Sequence, residues 1–176
     1  YVARSQVGYH HLWTVNPDGT GQMTYYGNQQ HYPLYIAARP IAGTDLTVGI
    51  DAPGHGRRDH YGHVVVFDPD RGPDDPTGVR RVSDGKQMYT DPYPLSEDLF
   101  LVAQGTKLVL MNGRGQTQVI HQSDRGCFEP RPLMPRPRER LVHPRANAKA
   151  TTGRLILTNV YTGRNMAGVR RGDIKK

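Results

Sequence analysis

The chain has 176 residues and a formal net charge of +7, from 23 Lys and Arg against 16 Asp and Glu. Hydrophobic residues make up 36%, enough for one modest core, and no apolar run approaches the roughly 20 residues of a membrane-crossing helix. The single cysteine, Cys127, excludes an internal disulfide, a self-contained zinc knuckle and a CxxCH haem attachment site within these residues.

In chain order, 20 glycines and 14 prolines interrupt nearly every window in which an amphipathic helix would form. What remain are short apolar or alternating runs: HLWTV from His11, DLTVGI from Asp45, HVVVF from His63, LFLVAQ from Leu99, KLVLM from Lys107, TQVIH from Thr117 and RLILTNVY from Arg154. Each reads as a strand, so the fold class is all-β. Asp18-Gly19 and Asn112-Gly113 tolerate positive φ and predict tight hairpins between antiparallel strands.

The segments form one unit written about three times, with a fourth begun: apolar strand, turn rich in Asp, Asn and Gly, second strand, then a Pro-Leu element and another strand. HLWTVNPDGTGQ is followed by Tyr32-Pro33-Leu34 and GTDLTVGID, and HVVVFDPDRG by YPLSEDLFLVAQ from Tyr93. KLVLMNGRGQTQVI is followed by RPLMPRPRERLVH from Arg131, and RLILTNVYTG opens the fourth copy. Offsets of about 40–60 residues per several-stranded repeat predict consecutive β-propeller blades, a segment of a larger propeller, with blades over 1–150 and the start of a further blade or a connection over 151–176. Alternation predicts that Val65, Leu95, Leu99, Leu101 and Val109 are core. A partial ring also predicts apolar faces that expect a neighbour, in a larger assembly or a dimer.

Four stretches carry candidate chemistry. His55, His60 and His63, with Asp59 among them, offer imidazole and carboxylate ligands to a borderline cation, but His-x4-His-x2-His matches no standard zinc motif. The alternative is a glycine-rich connection, with Arg57 and Asp59, together with Tyr32, as ligand or interface residues on a loop. Asp68, Asp70 and Asp74 occupy the first, third and seventh places of a calcium-loop pattern, yet Gly72, Pro73 and Val79 stand where the fifth, sixth and twelfth ligand or turn residues belong, which favours a stiff surface turn. Cys127 beside Arg125 lacks a nearby His, and neither GTGQMT nor GRGQTQ completes a phosphate-binding motif. Tyr25, Tyr26, Tyr32 and Tyr35 with His31 suit core or rim packing, or a ligand mouth.

The DG turns and the YPLSEDLFLVA element resemble the TolB-type, WD-repeat-like propeller blade, with Leu34 and Leu95 in place of its aromatic residue and Glu97 in place of its second proline. Across nearly the whole chain NPDGTGQ, PGHG, DPYPLSED, EPRPL and VYTGRNMAGVRRGDIK resemble the middle domain of the hydrazine synthase alpha subunit and its relatives. That resemblance implies an exported, periplasmic scaffold beside cytochrome-c-like domains, with haem c carried elsewhere in the full-length protein, no cofactor and no catalytic residue within this chain. Two other readings stay open: a basic β-domain that binds nucleic acid or another polyanion through its Arg-rich stretches, and a segment of a haem-dependent redox enzyme.

Overall fold

Strands form where β-branched, leucine and aromatic residues cluster between the glycines and prolines that stop a helix. The computed structural model describes residues 2–4, 10–30, 34–53, 61–136, 138, 141–153, 159–161 and 166–174, and these build an all-β chain without an α-helix among the described residues. A first sheet holds β1 (Val2–Arg4), β2 (His10–Thr14) and β3 (Met23–Tyr26) in sequence order. The second holds β4 (Tyr35–Pro40), β5 (Thr47–Asp51), β6 (His63–Phe67) and β7 (Val79–Arg81). The third holds β8 (Thr90–Ser96), β9 (Leu99–Gln104), β10 (Lys107–Asn112) and β11 (Thr117–Gln122). All neighbours are antiparallel, and among the described residues no sheet closes on itself.

The internal repeat is visible in the hydrogen bonds. β2, β6 and β10 each run into a turn opened by Asn16, Asp68 and Asn112, whose N–H donates to the carbonyl that closes it: Thr20 at 2.8 Å, Gly78 at 2.7 Å and Gln116 at 3.0 Å. The second of these turns is longer because Asp68 and Asp75 each cap a single 3-10 turn, accepting from Asp70 N at 3.1 Å and Thr77 N at 2.8 Å. Asp74 accepts from Gln29 N at 2.6 Å. Asp68 and Asp75 therefore serve the turn's backbone, the role an Asx residue takes at a helix start, while Asp74 ties the turn to the connection after β3.

The second sheet is the middle layer. Val48, Ile50, Val64 and Val66 pack with Phe100, Val102, Val109 and Met111 of the third sheet. Its opposite face sets Val65, Phe67 and Tyr35 against Leu12 and Tyr26 of the first. In this aromatic cluster the Tyr35 and Phe67 rings meet edge-on at 4.9 Å, and Tyr26 lies 5.3 Å from Phe67. Tyr26 donates its hydroxyl to the Asp75 carbonyl and Tyr35 donates to Gln30 Oε1 at 2.6 Å, so both phenols are buried with their polar ends satisfied.

Two expectations change. Val65, Leu101 and Val109 are buried, but Leu95 and Leu99 are only half-buried, while Phe100 and Val102 on the alternate parity are wholly enclosed. β9 is an interior strand of its sheet, and Leu101 and Ala103 are buried on one of its faces as Phe100 and Val102 are on the other, so period-two alternation no longer marks the core. The Pro-Leu element also shifts: Tyr93-Pro94-Leu95 sits in the first strand of its sheet, and the equivalent strand of the preceding sheet ends on Arg39-Pro40, followed by Ile41, while Tyr32 and Pro33 lie outside the described residues.

Residues 1–144 form one compact unit and residues 145–176 another. The described parts of the second are turns, with Tyr161 N donating to Asn159 Oδ1 at 2.9 Å and Gly172 N to the Tyr161 hydroxyl at 2.7 Å. The strand expected at Arg154–Thr158 lies outside the described residues.

Candidate functional site

The first strands of the second and third sheets share a distortion that brings polar residues together. Pairing skips between Ile36 and Arg39 in β4 and between Thr90 and Tyr93 in β8, and in each gap a non-glycine residue takes a left-handed conformation: Ala37 at φ 52° and Asp91 at φ 51°. Glu129, at φ 41°, completes the set of non-glycine residues with positive φ among the described residues. The sequences Ala37-Ala38-Arg39-Pro40-Ile41, Asp91-Pro92-Tyr93-Pro94-Leu95 and Glu129-Pro130-Arg131-Pro132-Leu133 are three copies of one motif. A left-handed residue inside a bulge re-aims the strand and its side chains.

The copies meet. Glu129 accepts a 2.6 Å bond from Arg131 and lies 3.7 Å from Arg39, whose guanidinium stands 5.8 Å from the centre of the Tyr93 ring. Asp91 Oδ2 accepts from Thr90 Oγ1 at 2.7 Å and from Glu129 N at 3.2 Å, which ties the second copy to the third. The Arg131 hydrogen bond and charge, aided by Arg39, hold the Glu129 carboxyl below its ordinary range. The result is a mixed-charge cluster in which Arg39, Asp91 and Tyr93 lie on the first strands β4 and β8, and Glu129 and Arg131 on the segment that follows β11. It was missed in the sequence because the repeat of small residue or proline, Arg or Tyr, and proline is short and its conformation is set by a bulge.

Strain makes Asp91 testable. Asp and Asn tolerate the left-handed region where a β-branched residue does not, so Asp91→Asn should keep wild-type stability within about 1 kcal/mol and Asp91→Val should lose about 1–2 kcal/mol in denaturant midpoints.

Of the candidate ligands, His63 alone lies in the described residues; His55, His60, Arg57, Asp59 and Tyr32 lie outside them. His63 opens β6 opposite Asp51 of β5, on the face it shares with Val65 and Phe67. Its Nδ1 is buried without a hydrogen-bond partner among the described residues, and no cluster of three His, Cys, Asp or Glu side chains suited to a metal occurs among them. Burial pushes the Asp51 carboxyl up, against the attraction of Arg81 and His63. Burial, then Arg81, pushes the His63 imidazole down, against Asp51 and Asp84.

These signs fix a pH response. A depressed imidazole contributes stability that is present above about pH 6.5 and lost as pH falls through its folded value. A raised carboxyl contributes stability below about pH 3.9 that is lost as pH rises through its own. In an NMR titration the His63 midpoint should therefore lie below that of a free imidazole, rise in Arg81→Gln and fall further in Asp51→Asn. A midpoint that moves the other way in either variant refutes the assignment.

Cys127 is half-buried, and its N–H donates to the Gly105 carbonyl at 2.7 Å. Tyr26 and Tyr35 are core residues, while the half-buried Tyr25 shares a 2.8 Å hydrogen bond with Thr47 Oγ1. No family model, curated protein or solved structure matches the chain.

Proposed function

We propose that the chain is a run of consecutive β-propeller blades that acts as a non-catalytic scaffold and binding segment of a larger protein. The observation that carries this reading is the succession of stacked four-stranded antiparallel meanders in which β4 and β8, each the first strand of its sheet, lie side by side and carry the same bulged motif. Blades of a propeller repeat in this manner, with first strands toward the axis. The mixed-charge cluster of Arg39, Tyr93, Asp91, Glu129 and Arg131 would then face that axis and position a partner domain or loop.

The exported setting, the cytochrome-c-like neighbours and haem c in the full-length protein belong to the same proposal and rest on the motifs that resemble the hydrazine synthase alpha subunit. A density map of the full-length gene product tests it. Sheets radiating about an axis past Arg39 and Glu129, with haem absorbance from adjoining domains, are the expected result; a layered sandwich without an axis overturns the propeller, and a haem-free protein overturns the redox setting.

One observation favours a second reading. Arg125, Arg131, Arg136 and Arg138 are exposed along a proline-punctuated segment without strand among its described residues. Binding of a polyanion there requires affinity that falls steeply with salt, so retention on heparin or DNA that is insensitive to ionic strength excludes it.

A further inference from the structure

The outer face of the third sheet, turned away from the second, carries Leu99, Leu101, Ala103, Leu108 and Leu110, by the pairing of Leu101 with Leu110 and Ala103 with Leu108. Leu99, Leu108 and Leu110 are only half-buried, and Leu99 and Leu110 help line a groove of about 250 Å³ with Asn112, Gln116, Thr117 and Gln118. A leucine row of this kind on the last complete sheet matches the face by which the second sheet receives the third.

We propose that this face is the seat of a fourth sheet, whose first strand is Glu129–Leu133 and whose second strand passes through Leu141 and Val142. The inference rests on the propeller reading above and goes beyond it in naming the occupant.

Two observations select that occupant. Glu129 reproduces the left-handed backbone of Ala37 and Asp91 at the same place in the same five-residue motif. The approach to it is also repeated: Tyr89 N donates to the Gly62 carbonyl at 2.8 Å just before β6, and Cys127 N donates to the Gly105 carbonyl at 2.7 Å just before β10, each donor two residues ahead of the left-handed position. The chain leaving the fourth strand of one sheet is thus tied to the connection between that sheet's second and third strands, two residues ahead of the left-handed position, in the same manner twice.

The place of the second strand then follows to within one residue. Arg39 pairs with Val48, nine residues on, and Tyr93 with Leu101, eight residues on. Counted from Arg131, the first interval sets Leu141 and Val142 at the places of Gly49 and Ile50, and the second sets Leu141 at that of Ala103, positions that are buried in both complete sheets. Leu133, Leu141 and Val142 are 107%, 77% and 49% exposed in the structure, apolar side chains at core places of a repeat with their seat close by in the same unit. Successive residues of a strand face opposite sides, so such a strand would turn one of Leu141 and Val142 toward the half-buried Leu99, Leu108 and Leu110 and the other into the far face of the fourth sheet.

Amide hydrogen exchange on the full 176-residue chain tests this, with Val102 and Val109 of the third sheet as internal controls. Leu141 and Val142 should exchange at least about a hundredfold more slowly than an unstructured peptide, and Leu110→Asp should abolish that protection while Val102 keeps its own. Random-coil exchange at Leu141 and Val142 beside protected controls overturns the inference and leaves the stacked sheets standing. Loss of protection at Val102 and Val109 in the wild-type chain overturns the stacked-sheet reading itself. Protection that survives Leu110→Asp, or that appears only as concentration drives dimer formation, also overturns it, because the segment is then ordered elsewhere or the seat is filled by a second copy.

Discussion

Phe100→Ala should lower the free energy of unfolding by about 3–5 kcal/mol, the range for removing a fully enclosed phenyl ring. Phe100 is 0% exposed and packs within the cluster that joins the second and third sheets. Neighbouring strands fix the backbone on both sides, β8 through Pro94 and β10 through Met111, so the site has little freedom to collapse around the void. Urea unfolding followed by Trp13 fluorescence and by far-ultraviolet circular dichroism gives the measurement. A midpoint within error of wild type contradicts the packing of the two sheets. Leu101→Ala, on the more open face of the same strand, should stand near the low end of the leucine range, about 2 kcal/mol.

The second large effect is expected at a glycine. Gly115, at φ 77°, lies in the β10–β11 turn, and a Cβ there would overlap the Val82 carbonyl oxygen, with the carbonyl carbon at 3.3 Å. Backbone atoms cannot yield as a side-chain tip does. Gly115→Ala therefore combines left-handed strain of about 1–2 kcal/mol with an overpacking cost of about 1–3 kcal/mol, about 2–5 kcal/mol together. Gly19 occupies the same place in the β2–β3 turn at φ 81°, and nothing lies within 4 Å of a Cβ built on it. Gly19→Ala should cost the strain alone. The difference between the two variants isolates the seating of the third sheet's turn on the second sheet, which Arg80 reinforces by donating to the Gly113 carbonyl at 3.1 Å. Equal losses in the two denaturation curves would show that the contact contributes nothing.

The all-β class, the strands β2, β5, β6, β9, β10 and β11 and the turns at Asn16, Asp68 and Asn112 were legible because glycine, proline, Asp and Asn act locally, through φ and through side chains that bond their own backbone, whereas β1, β3 and β4 were not read as strands. Which residues of β9 are core was not legible: Phe100 and Val102 face the second sheet while Leu101 and Ala103 are buried on the other side, and local alternation carries no signal once both faces are covered. Nor was the cluster of Arg39, Asp91, Tyr93, Glu129 and Arg131, whose members lie up to ninety-two residues apart. Pattern along a chain reports only what near neighbours impose on one another. The meeting of Arg39 with Glu129 depends on two bulged strands and the stacking of sheets between them, long-range contacts that exist only after the hydrophobic faces have packed.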